Sequence, residues 1–451
     1  MPKSDHLQEI SLSEMKQLNN NSKVCLAIDG IVYDMTVWAQ KHPGGADMIQ
    51  NVAGTDASDV YHAFHPPNLP HSTSQKILAR LPRLAILKES KKTKLQQDFE
   101  ELRKDVSDRG MYSPCWIYYA RVWSWIAFVL AVAWYSTLTA RDTGGAILAG
   151  SLSALFLQQS AFVGHDSGHV AVSFSPFFDW VVGLVFGPLF SGISISWWKS
   201  SHNTHHIETN QIERDPDIQH LPIFALSEIV IRNGGVYSTY HRRYMALDAV
   251  ALFFVSNQHI LFLPVMMLAR LNLYAQGFLF FLGGRYHGSI VAAGVEVAAM
   301  MLHHFILYTA AKSLPSTHLS CVWLFSTIAL SGVLNLQIIS SHMGLPTLSK
   351  TQHEQFEAAP FLQHQLATTT DITTNRLNAW FFGGLERQVC HHVFPRMPRR
   401  NLDIAAGLLQ DLCKKHDIEY KSVYFSEAVG SVYTCMHDAA MVARNRGQKQ
   451  D

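Results

Sequence analysis

Two apolar stretches dominate the first part of the chain after residue 120, at residues 122–139 and 146–164. Each is close to the roughly 20 apolar residues that a helix needs to cross a bilayer. A short polar link at residues 141–145, which contains two glycines, joins them. The pattern therefore predicts a helical hairpin that crosses the membrane twice and returns the chain to its starting side.

Four further apolar runs follow, at residues 177–197, 247–271, 290–311 and 319–340. Glycine, proline or polar residues interrupt the first two of these runs, at Gly183, Gly187, Pro188, Gly192, Asp248, His259 and Pro264. The last two runs are long enough to span a bilayer. They predict a second helical hairpin, which ends shortly before residue 342.

Composition supports a membrane protein with polar parts. The mean hydropathy is +0.05 and only 16% of residues are charged, against about a quarter in a typical soluble domain. The six cysteines are scattered without a CxxC pair, which favours reduced thiols in a cytosol-facing protein. A formal net charge of +1 gives no indication of a nucleic-acid partner, and we expect none.

Two histidine-rich clusters follow the runs at 146–164 and 177–197, and a third lies in the amphipathic region after the last run. They contain His165 and His169, then His202, His205 and His206, then Gln388, His391 and His392. Positions i, i+3 and i+4 share one face of a helix, so each cluster presents its side chains to one point. Imidazole-rich sites suit iron, zinc or copper. Eight candidate ligands in matched clusters predict a centre with two metal ions.

A shared metal centre requires all three clusters to lie on one side of the membrane. The run at 177–197 separates the first two clusters, so we expect it to lie in the membrane interface or to bend back. An even number of crossings must likewise separate the second cluster from the third. We therefore interpret 247–271 as interfacial or re-entrant, and 290–311 with 319–340 as the second hairpin.

Residues 8–87 predict a small α+β domain of a different kind. Short strands at 24–26 and 31–34 flank Asp29-Gly30, a hairpin turn signal. His42 begins the sequence His-Pro-Gly-Gly, and His65 follows in Phe-His-Pro, with His62 close by. Glycines beside a histidine allow backbone to approach a flat group, so a haem held between two imidazoles accounts for this pattern. The charged stretch that follows, 88–109, predicts a solvated linker helix.

The motifs at 33–38, 42–45 and 53–57 together resemble a cytochrome b5 domain. The resemblance places the axial ligands of haem b on His42 and His65, with His62 the less favoured second ligand. The order HDxGH, HNxHH and QxxHH behind such a domain resembles the front-end membrane desaturases, and the glutamine of the third cluster is typical of that branch. The resemblance implies two iron ions, and it adds His342 to the eight clustered side chains as a further ligand.

The resemblance also implies a domain order and a setting. We expect a cytochrome b5-like domain at 8–87, a linker at 88–118, a membrane desaturase domain at 119–425 and a C-terminal tail at 426–451. The desaturase domain is expected to be all-α, with about four transmembrane helices and a cytosolic histidine-rich cap. The implied location is the endoplasmic reticulum membrane, with both termini and the active site cytosolic. A separate NADH-cytochrome b5 reductase would reduce the haem, since the chain has no GxGxxG dinucleotide motif.

The substrate implied by the resemblance is a lipid chain. The segments 365–372 and 395–402 and the non-acidic Cys390 are most similar to the Δ8 sphingolipid long-chain base desaturases. Glu386 and Arg387 depart from both the sphingolipid and the fatty acyl patterns. Three alternatives stay open: a Δ6 or Δ5 polyunsaturated fatty acyl desaturase, a diiron lipid hydroxylase, and a membrane-anchored haem electron carrier.

Overall fold

The structure is a computed structural model that describes residues 7–19, 22–66, 74–88, 92–286, 288–349 and 360–447. The first 93 residues contain β1 Glu9–Ile10, α1 Leu12–Leu18, β2 Cys25–Ile28, β3 Ile31–Asp34, α2 Thr36–Ala39, α3 Ala46–Asn51, α4 Ser58–Phe64, α5 Ser74–Leu78 and β4 Arg83–Leu87. The next part contains α6 Lys94–Asp108, α7 Trp116–Thr139, α8 Thr143–Gly168, α9 Pro176–Leu184, a π-helical segment Val185–Ser191, α10 Ile195–Ile207, a 3-10 turn Pro216–Ile218, α11 Glu228–Asn233, β5 Gly235–Ser238 and β6 Arg243–Ala246. The remainder contains α12 Ala249–Ser256, α13 Gln258–Leu282, α14 Ile290–Lys312, α15 Thr317–Ser331, α16 Val333–Ser340, α17 Pro360–Thr368, β7 Asp371–Ile372, α18 Ala379–Phe382, a 3-10 turn Leu385–Arg387, α19 Gln388–Val393, α20 Arg399–Lys415, β8 Ser422–Val423 and α21 Phe425–Gly447.

The N-terminal domain is α+β, as predicted. Its four strands form one sheet in the order β1-β4-β3-β2. The antiparallel pair β2 and β3 is joined at Asp29 and Gly30, both of which have positive φ, as a tight hairpin turn requires. Helices α2 to α5 pack beside this sheet and leave an apolar cavity between them.

The linker helix α6 differs from the solvated helix expected there. Its apolar residues Leu95, Phe99, Leu102 and Val106 are buried, because their i, i+3 and i+4 spacing forms one stripe against α20. Arg103 on the same helix donates to Asp59 of the N-terminal domain at 2.7 Å. Most of the charged residues that suggested a solvated helix lie on its outer face, whereas Asp98 is buried and Arg103 is partly buried. The helix ties the two domains together.

Within the described part of the chain, five helices are long and apolar enough to cross a membrane, namely α7, α8, α13, α14 and the continuous pair α15 and α16. Helix α8 lies at the centre of the bundle, since 67% of its most apolar 18-residue segment is buried inside the protein. The tips of the two predicted hairpins pack together, since Ala140 and Ala146 share a buried cluster with Ala310, Leu314 and Leu319. Both predicted hairpins are therefore present and form one bundle.

Helix α13 is the apolar helix outside the two hairpins. Both of its ends contact the polar cap that carries the histidine clusters. At its start Gln258 Nε2 donates to the Met436 carbonyl at 2.9 Å. Just beyond its end, the Arg285 guanidinium lies 4.0 Å from the centre of the Tyr240 ring. Both ends of α13 therefore contact the same cap, and its interfacial or re-entrant placement stays a prediction. The helix begins later and extends further than the apolar run at 247–271.

The apolar run at 177–197 bends back, as the shared-centre argument requires. The π-helical segment contains Pro188, whose missing N–H and ring disturb regular helix. Gly192 then adopts φ of 72°, and the two helical halves meet at an angle of 103°. A Cβ at Gly192 would lie 2.6 Å from the ring of His303, so the sharp turn depends on glycine at this position.

Residues expected to form a C-terminal tail belong largely to α21. Its buried face includes Val432, Met436 and Ala440, which pack against α11, α12, α13 and α16. The helix therefore packs over α12 and over the start of α13.

Candidate metal centre and haem site

The ends of four helices bring the predicted ligand residues together. His165 lies in the last turn of α8, and His169 is the residue that ends it. The second cluster lies on α10 and the third on α19, while His342 follows α16 by two residues. All nine predicted side chains meet in one region, most of them buried.

Seven of the histidines form two separate groups of possible metal ligands. The first group is His165, His169, His202 and His391, and the second is His205, His342 and His392. Within each group the ligand atoms all lie within 4.8 Å of one another. Two groups of this kind match the predicted pair of metal ions.

The two remaining predicted residues contact these groups, and His206 connects them. His206 Nε2 lies 3.0 Å from His202 Nε2 of the first group, and its ring stacks on His392 of the second with centres 4.1 Å apart. Gln388 Nε2 lies 3.2 Å from His342 Nε2. The site is thus one continuous cluster rather than two distant ones.

Buried polar atoms without partners test whether metal ions fit this cluster. The described atoms of this kind include His165 Nε2, His169 Nδ1 and Nε2, His205 Nε2, His206 Nδ1, Gln388 Oε1, His391 Nε2 and His392 Nε2. Burial without a partner costs free energy, and coordination of a cation removes that cost. Burial and neighbouring imidazoles hold the pKa of His391 and of His392 well below the usual value. These rings are therefore neutral and have a lone pair to donate, so the residues fit two ions of the iron class.

Polar residues outside the cluster orient three of its imidazoles. Asp215 Oδ2 lies 2.9 Å from His205 Nδ1, and Gln365 Oε1 lies 2.9 Å from His392 Nδ1. The Thr368 carbonyl oxygen lies 3.1 Å from His342 Nδ1. Such contacts fix the tautomer and direct Nε2 into the site. Sequence reasoning gave these residues no role, although two of them lie in the segment 365–372 and Asp215 lies nine residues after the HNxHH motif.

A cavity of about 210 Å³ begins at this cluster and continues between the membrane helices. His165, His202 and Gln388 form part of its wall. The side chains of Phe162, Leu334 and Ile338 add an apolar wall, and Asn272, Gln276 and His241 add polar groups. A long apolar chain with one polar end fits such a lining.

The predicted haem ligands face each other in the N-terminal domain. The ring centres of His42 and His65 are 6.2 Å apart, at the wall of a second cavity of about 310 Å³. His42 Nδ1 lies 3.3 Å from the Gly45 carbonyl oxygen, and His65 Nδ1 lies 3.1 Å from the Tyr61 carbonyl oxygen. This leaves Nε2 of each ring for the iron of a haem. Burial lowers the pKa of His65 to about 3, so its imidazole stays neutral.

Comparison with known proteins agrees with both sites. Residues 143–424 match the family described as fatty acid desaturase, and residues 11–92 match the cytochrome b5-like haem/steroid binding domain. The chain belongs to the fatty acid desaturase family. It is a front-end desaturase fused to a cytochrome b5 domain, and the alternative of a mere haem carrier is set aside.

Relatives align with this desaturase over nearly its whole length. Delta(8)-fatty-acid desaturase 2 of Arabidopsis thaliana is 30% identical over 97% of this chain and 94% of its own. Delta 8-(E)-sphingolipid desaturase of Komagataella phaffii is 25% identical over 96% of this chain and 93% of its own. Acyl-lipid (9-3)-desaturase of Borago officinalis is 28% identical over 97% of this chain and 94% of its own.

The first testable prediction concerns the haem of this desaturase. We expect His65→Ala to abolish the bis-histidine visible spectrum of the purified full-length protein, because one of the two axial ligands is lost. His62→Ala is the matched control, since the His62 ring instead contacts the Asp29 carboxylate at 2.8 Å. A normal spectrum in the His65→Ala protein would refute the assignment, and loss of the spectrum in the His62→Ala protein would make His62 the ligand.

Proposed function

We propose that this desaturase introduces a double bond at Δ8 of a sphingolipid long-chain base. Support comes from relatives in Komagataella phaffii and Emericella nidulans that carry the name Delta 8-(E)-sphingolipid desaturase. It also comes from the cavity of about 210 Å³, which combines an apolar wall with side chains that can bond hydroxyl and amino groups. A long-chain base carries such groups at one end only.

In this proposal nine residues hold two iron ions. They are His165, His169, His202, His205, His206, His342, Gln388, His391 and His392. The cluster of partnerless ring nitrogens is the observation that carries the assignment. When bound, the iron pair supplies the oxygen activation that removal of hydrogen from an unactivated methylene pair requires.

The chain's own residues position the lipid and keep water out. Phe162, Leu334 and Ile338 pack around the apolar chain beside the ligands. Burial keeps His391 and His392 neutral, so each can donate a ring nitrogen to a metal ion beside the substrate. Asp215, Gln365 and the Thr368 carbonyl hold three rings in place during turnover.

The proposed setting is the endoplasmic reticulum membrane, with both termini and the histidine site on the cytosolic side. This orientation is supported by the placement of the haem domain and of all three clusters at one cap of the helical bundle. NADH-cytochrome b5 reductase would deliver electrons to the haem one at a time. Fusion of the haem domain raises the effective concentration of electron donor at the iron site.

The second prediction tests the substrate. In a yeast host without sphingolipid Δ8 or front-end acyl desaturase activity, fed with phytosphingosine and with polyunsaturated acids, we expect new double bonds in the long-chain base only. A His391→Ala protein at matched levels is the inactive control. Unsaturation confined to acyl chains would move the assignment to the Δ6 or Δ5 fatty acyl branch. A product heavier by one oxygen, rather than lighter by two hydrogens, would identify a hydroxylase.

A further inference from the structure

The haem cavity is not closed by the haem domain alone. His42, Phe64 and His65 form part of its wall on one side, and Lys199, Asn203 and Arg396 of the desaturase domain form part of the other. His169, a predicted iron ligand, also borders this cavity. The two domains thus enclose one space between the haem ligands and the histidine cluster.

Helix α10 separates this space from the metal centre and has one face on each. Lys199, Asn203 and Ile207 follow each other at intervals of four residues and line the haem cavity. His202 and His206 lie on the adjoining face and contact the other imidazoles. His202 therefore faces the metal centre, whereas the next residue, Asn203, faces the haem cavity.

The desaturase domain contributes the positive charge of the cavity wall. Among the described residues that line it, Lys199 and Arg396 are the only lysine and arginine, and no aspartate or glutamate is present. Lys199 forms no ion pair or hydrogen bond with any described residue. Arg396 donates through Nη1 to the Phe64 carbonyl at 3.3 Å, and its Nε is buried without an acceptor. The carboxylate that acts on both cations is Asp179, and its oxygens already accept from Val172 N, Ser173 N and Ser173 Oγ. Two cations at one cavity wall without an ion-pair partner favour an anionic ligand there.

We propose that Lys199 and Arg396 bind the two propionate carboxylates of the haem. In this arrangement the haem is held by both domains, with its iron between His42 and His65 and its carboxylates on the desaturase domain. Guanidinium and carboxylate groups form short, charge-assisted hydrogen bonds. The haem then locks the two domains in one relative position.

Independent contacts hold the domains in the position that this requires. Asp47 of the haem domain accepts from Arg242 at 2.9 Å, and Arg214 donates to the Asn51 carbonyl at 2.8 Å. The ring of Phe64 meets the ring of His206 edge to face, with centres 6.2 Å apart. Phe64 lines the haem cavity, so this contact provides a short path for electrons from haem to iron ligand.

The test uses the full-length, detergent-purified protein and needs no lipid substrate. Lys199→Gln and Arg396→Gln, alone and combined, are compared with Arg400→Gln, an exposed arginine on α20. We measure the rate of haem transfer to excess apomyoglobin and the midpoint potential of the haem. The double variant should lose haem about tenfold faster, the change expected for loss of a charge-assisted contact. Its midpoint potential should fall, because positive charge stabilises the ferrous state.

A second arm separates the propionates from other causes. Reconstitution with haem dimethyl ester removes both carboxylate charges, so the wild type should then lose haem as fast as the double variant. The substitutions should have no further effect with the ester. The proposal is overturned if both variants match Arg400→Gln, or if the substitutions have the same effect on the ester as on free haem. Since no turnover is measured, these outcomes are independent of the proposed substrate.

Discussion

Gln388→Ala should abolish desaturation while the haem spectrum stays intact. Gln388 stands in relation to His391 and His392 as His202 stands to His205 and His206. The side chain is 1% exposed, and its Oε1 is buried without a partner. An amide oxygen can coordinate iron directly or through water. Removal of this ligand leaves an open position at a centre whose other ligands are neutral imidazoles.

We expect product formation by Gln388→Ala to fall by at least about 100-fold, the upper end of the effect of losing a residue that orients a ligand. Gln388→Glu should also fail, because it adds a negative charge to the neutral ligand set. Gln410→Ala, at an exposed glutamine of α20, is the matched control and should retain activity. Iron content and product are measured at matched protein levels. Full activity of Gln388→Ala would show that the side chain only packs or caps.

The local spacing of the histidines along the chain predicted much of the candidate site. The i, i+3 and i+4 positions of the second and third clusters do place their side chains on common faces of α10 and α19. The requirement that the clusters meet predicted the sharp bend after residue 185, where the two helical halves meet at 103°. The interfacial placement of the segment before α14 stays a prediction, and it is supported by the contacts of both ends of α13 with the cap. Both inferences needed only helix geometry and the sidedness of a membrane.

The remainder depends on contacts between distant parts of the chain. His392 pairs with Gln365 and His342 with Thr368, separations of 27 and 26 residues, and no local pattern indicates either pair. Helix α13 extends past residue 271 although Asn272 and Gln276 interrupt its hydropathy, and both residues border the cavity. The buried stripe of α6 was overlooked because its charged outer face dominates the composition of the segment.

Glu296 is the clearest residue that sequence patterns did not identify. It lies within the apolar helix α14 and is 1% exposed. Its carboxyl oxygens accept from Ser194 Oγ at 2.6 Å, from Ser196 Oγ at 2.6 Å and from Ser196 N at 3.0 Å. Buried acidic groups in membrane helices are costly and are retained where they have partners and a role. Here the three bonds fix the start of α10, the helix that carries the second histidine cluster.

Glu296→Ala should therefore destabilise the protein and reduce its iron content. The substitution leaves three donors without an acceptor, and each buried unsatisfied group costs about 1–3 kcal/mol. We expect a lower midpoint in thermal unfolding of the detergent-purified protein and loss of iron from the histidine cluster. Glu296→Gln retains one carbonyl oxygen and should have an intermediate effect. Val295→Ala, at an adjacent side chain that is 42% exposed, is the control and should unfold as the wild type does. Wild-type stability and iron content in Glu296→Ala would show that α10 is held by its packing alone.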